Sequence, residues 1–310
     1  MSISTEDTAA IRPTATRHDA RRARFDFKRF ASVWWFIVPG LLFYAIATLY
    51  PAISGAAQAF TEWDGFSPDR RFVGFDNFLA MFEDRAVVRA LINTFTIAIT
   101  VTILQNVIGL LLALGVNSRI RSRKFLSAIF FAPAIVMPVV VAFLWQYLFA
   151  PFGVLSSIVE ATGLEAPDWL GDRNIALWCV IAVFIWQFAG YSMVIFLAGL
   201  QGIQPEVIEA SEIDGASSLQ KLIYVQIPLL GPAFVVNIIL TLIHGLKVFD
   251  LVWVMTQGGP GFATQTLSTL IFENAFAFNK VGYSNAIALV LTIIALPVAY
   301  LQFRATRPRA

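Results

Sequence analysis

The sequence predicts an all-α integral membrane protein with six transmembrane helices, on three observations. Of its 310 residues 58% are hydrophobic and 14% charged, where a soluble domain carries about 25% charge. Six stretches approach the ~20 apolar residues that a helix needs to cross a hydrocarbon layer. Lys and Arg also collect in segments that six spans place on one side.

Residues 1–32 form a basic tail, rich in Ser, Thr, Asp and Arg to about Asp26, a composition that predicts disorder. The spans follow near 33–57, 91–116, 125–149, 174–200, 229–256 and 284–303, leaving a short tail at 304–310. Basic residues crowd the first tail (Arg12, Arg17, Arg21, Arg22, Arg24, Lys28, Arg29), the second-to-third connection (Arg119, Arg121, Arg123, Lys124) and the last tail (Arg304, Arg307, Arg309). Their excess marks that side, with both termini, as the cytoplasmic face of a bacterial inner membrane. The opposite loops are acidic: Glu62, Asp64, Asp69, Asp76, Glu83 and Asp84, then Glu160, Glu165, Asp168 and Asp172. Ala57-Gln58-Ala59 resembles a signal-peptidase site. The apolar stretch before it, however, exceeds the roughly 7 to 15 residues of a signal peptide. Pro39, Pro51, Pro133, Pro138 and Pro297 fall in or near spans, where neighbouring helices can satisfy freed carbonyls.

A net charge of +2 carries no basic field for nucleic acid. Cys179 is the only cysteine, so this chain makes no internal disulfide and no thiolate zinc site. His18 and His244 are far apart, which leaves no multidentate histidine metal site. No G-x-x-x-x-G-K-[ST] run occurs, and no spacing suits nucleophile-base catalysis. The chain is therefore expected to be no enzyme and to bind no cofactor itself.

The strongest local signal lies between the fourth and fifth spans, at 201–228. Pro205 suits a first helical turn, and Glu206 and Glu209 favour its positive end. Glu206 to Ser211 should be helical, Asp214-Gly215 a stop, and Ala216 to Tyr224 a second amphipathic helix carrying Leu219, Leu222 and Ile223. Two short helices hinged at a glycine would protrude from the membrane; an amphipathic connector resting on the bilayer is the alternative. The run Glu209-Ala210-Ser211, then Gly215-Ala216, then Val225-Gln226-Ile227-Pro228 resembles the E-A-A loop of ATP-binding cassette (ABC) importer permeases. Ser211 replaces that family's usual second alanine.

Other segments extend the resemblance to the carbohydrate-uptake branch, the permeases for maltose, multiple sugars and glycerol-3-phosphate. They are Phe72-Val73-Gly74-Phe75-Asp76-Asn77-Phe78, Leu91-Ile92-Asn93-Thr94, Phe249-Asp250, Gly258-Gly259-Pro260-Gly261 and Thr264-Gln265-Thr266-Leu267. The resemblance implies a type I importer permease. Its expected partners are a second, different permease, two copies of an ABC ATPase that hold ATP and Mg, an extracytoplasmic solute-binding protein and the lipid bilayer. In that reading Glu209 is the charged contact in an ATPase cleft, Ala210 and Ala216 permit close approach, and Gly215 makes the bend. The binding protein is expected on the loops around 61–89, 150–173 and 257–282.

A polar solute stripped of water needs replacement partners at membrane depth. Asn237, Thr241 and His244 share one helical face, and Gln187 and Tyr191 lie four apart, with Trp186 and Phe188 as flat surfaces. Gln187, Asn237, Thr241 and His244 equally suit contacts that hold the bundle together. Lys247 and Asp250, three apart, are expected to form a structural ion pair. A gradient-driven secondary transporter would need membrane-embedded acids, and Asp250 is the only one near that depth. An ABC permease for a non-sugar solute is the other alternative, since the branch segments report lineage and not ligand.

Overall fold

The structure, a computed structural model, describes residues 27–118 and 122–305. The tail to residue 26, with Arg119, Arg121, Arg307 and Arg309, lies outside those residues, and with it part of the charge argument. The first predicted span is helical along its described length. Helix α1 (Phe27–Tyr44) runs through a π-helical turn at Ala45–Leu49 into α2 (Tyr50–Gln58), whose last turn belongs with the remainder of the chain.

From Ser54 onward the chain forms a single helical unit. A two-stranded ribbon, β1 (Thr61–Glu62) and β2 (Arg71–Phe72), leads into the short α3 (Asp76–Glu83). Asp84 then caps α4 (Arg85–Asn117), its carboxylate accepting from the Ala86 amide at 2.8 Å. Next come α5 (Arg123–Ile135), α6 (Pro138–Leu148), the short α7 (Val154–Ala161) and α8 (Ala176–Gln201). The cytoplasmic-loop segment holds α9 (Pro205–Ile213), α10 (Ser218–Lys221) and α11 (Ile227–Leu229). The last five elements are α12 (Gly231–Leu246), α13 (Asp250–Thr256), α14 (Leu267–Phe272), a π-helical turn at Glu273–Ala277 and α15 (Val281–Ala305).

Among the described residues four helices are each long and apolar enough to cross a membrane: Ile37–Gln58, Arg85–Asn117, Ala176–Gln201 and Val281–Leu301. Two bent pairs raise the number to six, and both bends revise the expected spans. The third span, expected over 125–149 with Pro133 and Pro138 in or near it, turns by 95° between α5 and α6. Its cause is Pro138, which opens α6 and holds Met137 in extended backbone (φ −58°, ψ 133°). The carbonyl freed there, on Val136, accepts from Gln187 Nε2 at 3.0 Å. The fifth span, expected over 229–256, bends by 68° ahead of Gly231 and ends at Leu246. Beyond it α13 lies against α6, burying Leu251, Val252 and Met255.

Lipid tails are as apolar as Leu, so close packing rather than water exclusion holds such helices together. Small residues provide it: a Cβ on Gly109 would meet the Ser192 Cβ at 2.5 Å, and one on Gly245 the Ala98 Cα at 2.7 Å. In this way α4 draws α8 and α12 against its two flanks.

Candidate functional site

Three regions carry the residues singled out by sequence. The first is the 201–228 loop. Pro205 opens α9, and the helix closes in a Schellman motif, with the Ala216 amide bonded to the Ser211 carbonyl and the Gly215 amide to that of Glu212. Gly215 sits at φ +79°, a left-handed conformation that a side chain strains, with open space where a Cβ would stand. Ser217 and Gln220 then make a reciprocal capping box that starts α10. Lys221 pairs with Glu212, clamping the two short helices together, a contact that spacing across a turn of unknown shape could not foretell.

Glu206, Glu209, Ala210 and Asp214 lie on the exposed surface, and Ile213 is 86% exposed. Ser211, the departure from the usual alanine, is buried and its hydroxyl donates to the Ile208 carbonyl at 2.6 Å. After α10 the chain passes through a π-helical turn at Leu222–Gln226 and Pro228 to Leu230, which is 1% exposed among Ala113, Val116, Met193, Phe196 and Leu200. Leu230 thus packs the segment that follows the knob against α4 and α8.

The second region is a cavity of about 450 Å³ between α4, α5, α8 and α12. Tyr191, Thr241 and His244 line it, as do Gln105, Phe188 and Lys247. The Gln105 amide group donates to Ser192 Oγ (2.8 Å) and to the Phe188 carbonyl (3.1 Å), while its buried Oε1 has no partner. His244 is held edge-on by Phe188 and Phe184, with ring centres 4.5 and 5.0 Å away. Below lies a fully buried network in which Ser192 Oγ donates to Asn237 Oδ1 (3.2 Å), Asn237 Nδ2 to Asn106 Oδ1 (2.9 Å) and Asn106 Nδ2 to Thr241 Oγ1 (3.1 Å).

The pathway candidates thus separate. Asn237 joins helices and does not line the cavity. Gln187 is fully buried and serves the α5–α6 bend. Trp186 lies five residues from Tyr191, on another face of α8, and lines a separate apolar cavity with Ile129, Phe130 and Ile185. Sequence reasoning missed Gln105, Asn106 and Ser192, although two adjacent amides inside an apolar span were the available signal. The expected Lys247–Asp250 ion pair is not formed. Lys247 ends α12 and Asp250 begins α13, so helical spacing does not apply, and the two border one small cavity without ion-pair contact.

The third region, residues 257–266, begins the external loop expected around 257–282, and its second half, Ala263 to Thr266, is buried. Asn93 Nδ2 lies within 2.9 to 3.1 Å of the carbonyls of Phe262, Ala263 and Gln265. Thr94 Oγ1 accepts from the Leu267 amide at 3.0 Å. Both residues come from the Leu91–Thr94 motif, which thereby ties this loop to the N-terminal part of α4.

Residues 105–307 match the family described as the binding-protein-dependent transport system inner membrane component. The chain belongs to that family. It is 34% identical over 291 residues to the probable starch degradation products transport system permease protein AmyD of Thermoanaerobacterium thermosulfurigenes, covering 94% of this chain and 98% of that one. With the multiple sugar-binding transport system permease protein MsmF of Streptococcus mutans it shares 33% over 276 residues, or 88% and 94% of the two chains. Among solved structures it superposes on a chain of a bacterial ABC transporter that imports the acidic polysaccharide alginate. That match has TM-score 0.79 and 25% identity and covers 91% of this chain and 98% of the other. As an inner membrane component of this type, the chain spans the membrane several times as an all-helical permease.

Proposed function

We propose that this permease carries a sugar or related polyol inward by alternating access, as one half of a transmembrane pair. The observation that carries this reading is the placement of the Gly215 knob. It stands exposed at the end of the bundle opposite the 257–266 loop and is wired by Leu230 into the helices that enclose the cavity. A second permease subunit closes the pathway on the side that this chain leaves open at Tyr191, His244 and Lys247. Two copies of an ABC ATPase receive the two knobs and hold ATP and Mg, and this chain holds no cofactor. An extracytoplasmic solute-binding protein delivers solute beside the 257–266 loop. The tails lie in the cytoplasm, since Arg123, Lys124 and Arg304 share the knob's side.

In the cavity Tyr191 and Thr241 offer hydroxyls to a polar solute while Phe188 and Tyr191 offer ring faces to C–H surfaces. The starch-product and multiple-sugar names of the relatives agree with that chemistry.

The test is to purify the tagged chain from its own membranes and measure ATP hydrolysis by what accompanies it. A second permease and an ATPase should copurify, and binding-protein stimulation should drop in Gly215→Asp while the assembly holds together. Solute uptake by the chain alone, driven by an ion gradient and indifferent to ATP, overturns the reading.

A further inference from the structure

Among the described residues on the side of the membrane opposite the knob, Arg71 pairs with Glu62, Arg70 stacks on Trp63 and Arg173 donates to the Gly261 carbonyl, whereas Arg85 and Arg89 are in no such contact. Arg85 and Arg89 stand one helical turn apart at the start of α4, both exposed. Neither is in an ion pair, and the helix end they crown is already capped by Asp84. They share a recess of about 240 Å³ with Phe82, Glu83, Val88 and Ile92. From this recess an exposed stripe runs down α4 through Ile92, Phe95, Ile99, Ile103, Val107 and Leu111, with Leu104 and Ile108 exposed beside it and Gly115 one turn beyond its end. The stripe itself contains no Gly, Ala or Ser of the kind that lets a second helix approach closely, so it suits lipid tails better than a partner helix. From Ile92 to Leu111 it measures about 30 Å at 1.5 Å per residue, the thickness of the hydrocarbon layer. Arg89 then falls one turn above the hydrocarbon, at the level of phosphates. Helix α3 reports the same level, presenting Leu79 at 63% and Phe82 at 82% exposure beside the acidic loops.

The geometry points to a binding site for an anionic phospholipid, its phosphate held by the Arg85 and Arg89 guanidinium groups and one acyl chain laid along Ile92, Phe95 and Ile99. Guanidinium forks match phosphate oxygens. Glu83 at the rim opposes a second negative charge, which favours a phosphodiester headgroup over a phosphomonoester. The site requires only that α4 span the membrane, so it stands or falls apart from the solute and the ATPase.

Native mass spectrometry of the assembly purified from its own membranes, titrated with phosphatidylglycerol, phosphatidylcholine and soluble glycerol 1-phosphate, tests it. Wild type should retain phosphatidylglycerol over phosphatidylcholine. With each basic group worth about five-fold near a membrane surface, Arg85→Gln/Arg89→Gln should bind about 25-fold more weakly, while Arg85→Lys/Arg89→Lys keeps most of the affinity. Ile92→Gln should weaken the lipid and leave glycerol 1-phosphate unchanged. Equal retention by wild type and the Gln pair overturns the site. So does no preference for phosphatidylglycerol, as when a partner protein covers the arginines, or glycerol 1-phosphate binding as tightly as the lipid. A melting temperature of the Gln pair matching that of the Lys pair shows that the loss is not unfolding.

Discussion

Asn237 Nδ2 donates to Asn106 Oδ1 at 2.9 Å, tying α12 to α4 where neither side chain meets solvent. Replacing Asn237 by Leu keeps the volume but leaves the Asn106 and Ser192 groups short of a partner. A loss of about 1–2 kcal/mol is expected, since an unpaired buried group costs about 1–3 kcal/mol. Interhelical bonds in membranes couple by about 0.6 kcal/mol on average. A double-mutant cycle with Asn106→Leu, read by unfolding in mixed micelles, should therefore give a coupling of about 0.6–1.7 kcal/mol. Strict additivity would show that the two amides do not depend on each other.

Gly215 meets nothing where a Cβ would stand, so its substitutions act through backbone conformation or through a partner's surface. Asn tolerates left-handed φ and Val does not. If the bend alone matters, Gly215→Asn should keep most stimulated ATP hydrolysis of the copurified assembly and Gly215→Val should lose most of it, with about 1–2 kcal/mol of strain at φ +79°. Equal loss in both points to a partner surface that excludes any side chain.

Asn93 supplies the hydrogen atoms that three loop carbonyls share. In Asn93→Ala those carbonyls lose their partner, and amide exchange over 259–266 should accelerate at least ten-fold while the α8 core stays protected. Unchanged exchange would assign the holding role to Thr94 and to Arg173, whose Nη2 donates to the Gly261 carbonyl at 3.0 Å.

The helices were legible because span length and the E-A-A-like pattern are local properties, and Pro205, Gly215 and Ser217 each specify a backbone state by themselves. What was not legible depends on partners distant in sequence. Gln187 looked like a pathway residue because nothing local reveals that the carbonyl of Val136, 51 positions earlier, needs its amide. Lys247 and Asp250 looked like a pair because hydropathy ran on through 256, while the helix stops at Leu246. Gln105 was passed over inside a long apolar run, where its neighbours on α8 and α12 decide its role.

Asp64 accepts from Ser67 Oγ, Ser67 N and Phe66 N, and these bonds, the hydroxyl foremost, pull its carboxyl down from 3.8 to about 2. A depressed folded-state value stabilises the turn at pH above the unfolded 3.8 and is lost as pH falls through about 2. Amide exchange at Phe66 and Ser67 should stay slow to about pH 4 and gain an acid-induced rise below it. Asp64→Asn should abolish that step, and a step that persists in the variant would assign it to another carboxyl.

Gln105 borders the cavity with a buried oxygen that no protein group donates to, its amide group being bound to Phe188 and Ser192. A solute hydroxyl reaches this oxygen only when alternating access parts the helices around it, and then gains one hydrogen bond, worth about 0.5–1.5 kcal/mol. Gln105→Leu should therefore raise the KM for uptake about two- to ten-fold with little change in maximal rate, as expected when binding is lost equally from ground and transition states. Ser192→Ala is the control, since it removes a network hydroxyl without removing the Gln105 oxygen. It should lower thermal stability while KM stays within about two-fold. If Ser192→Ala raises KM as much as Gln105→Leu, the network's rigidity governs uptake and the oxygen does not. If Gln105→Leu leaves KM unchanged, the solute passes along the other subunit's wall.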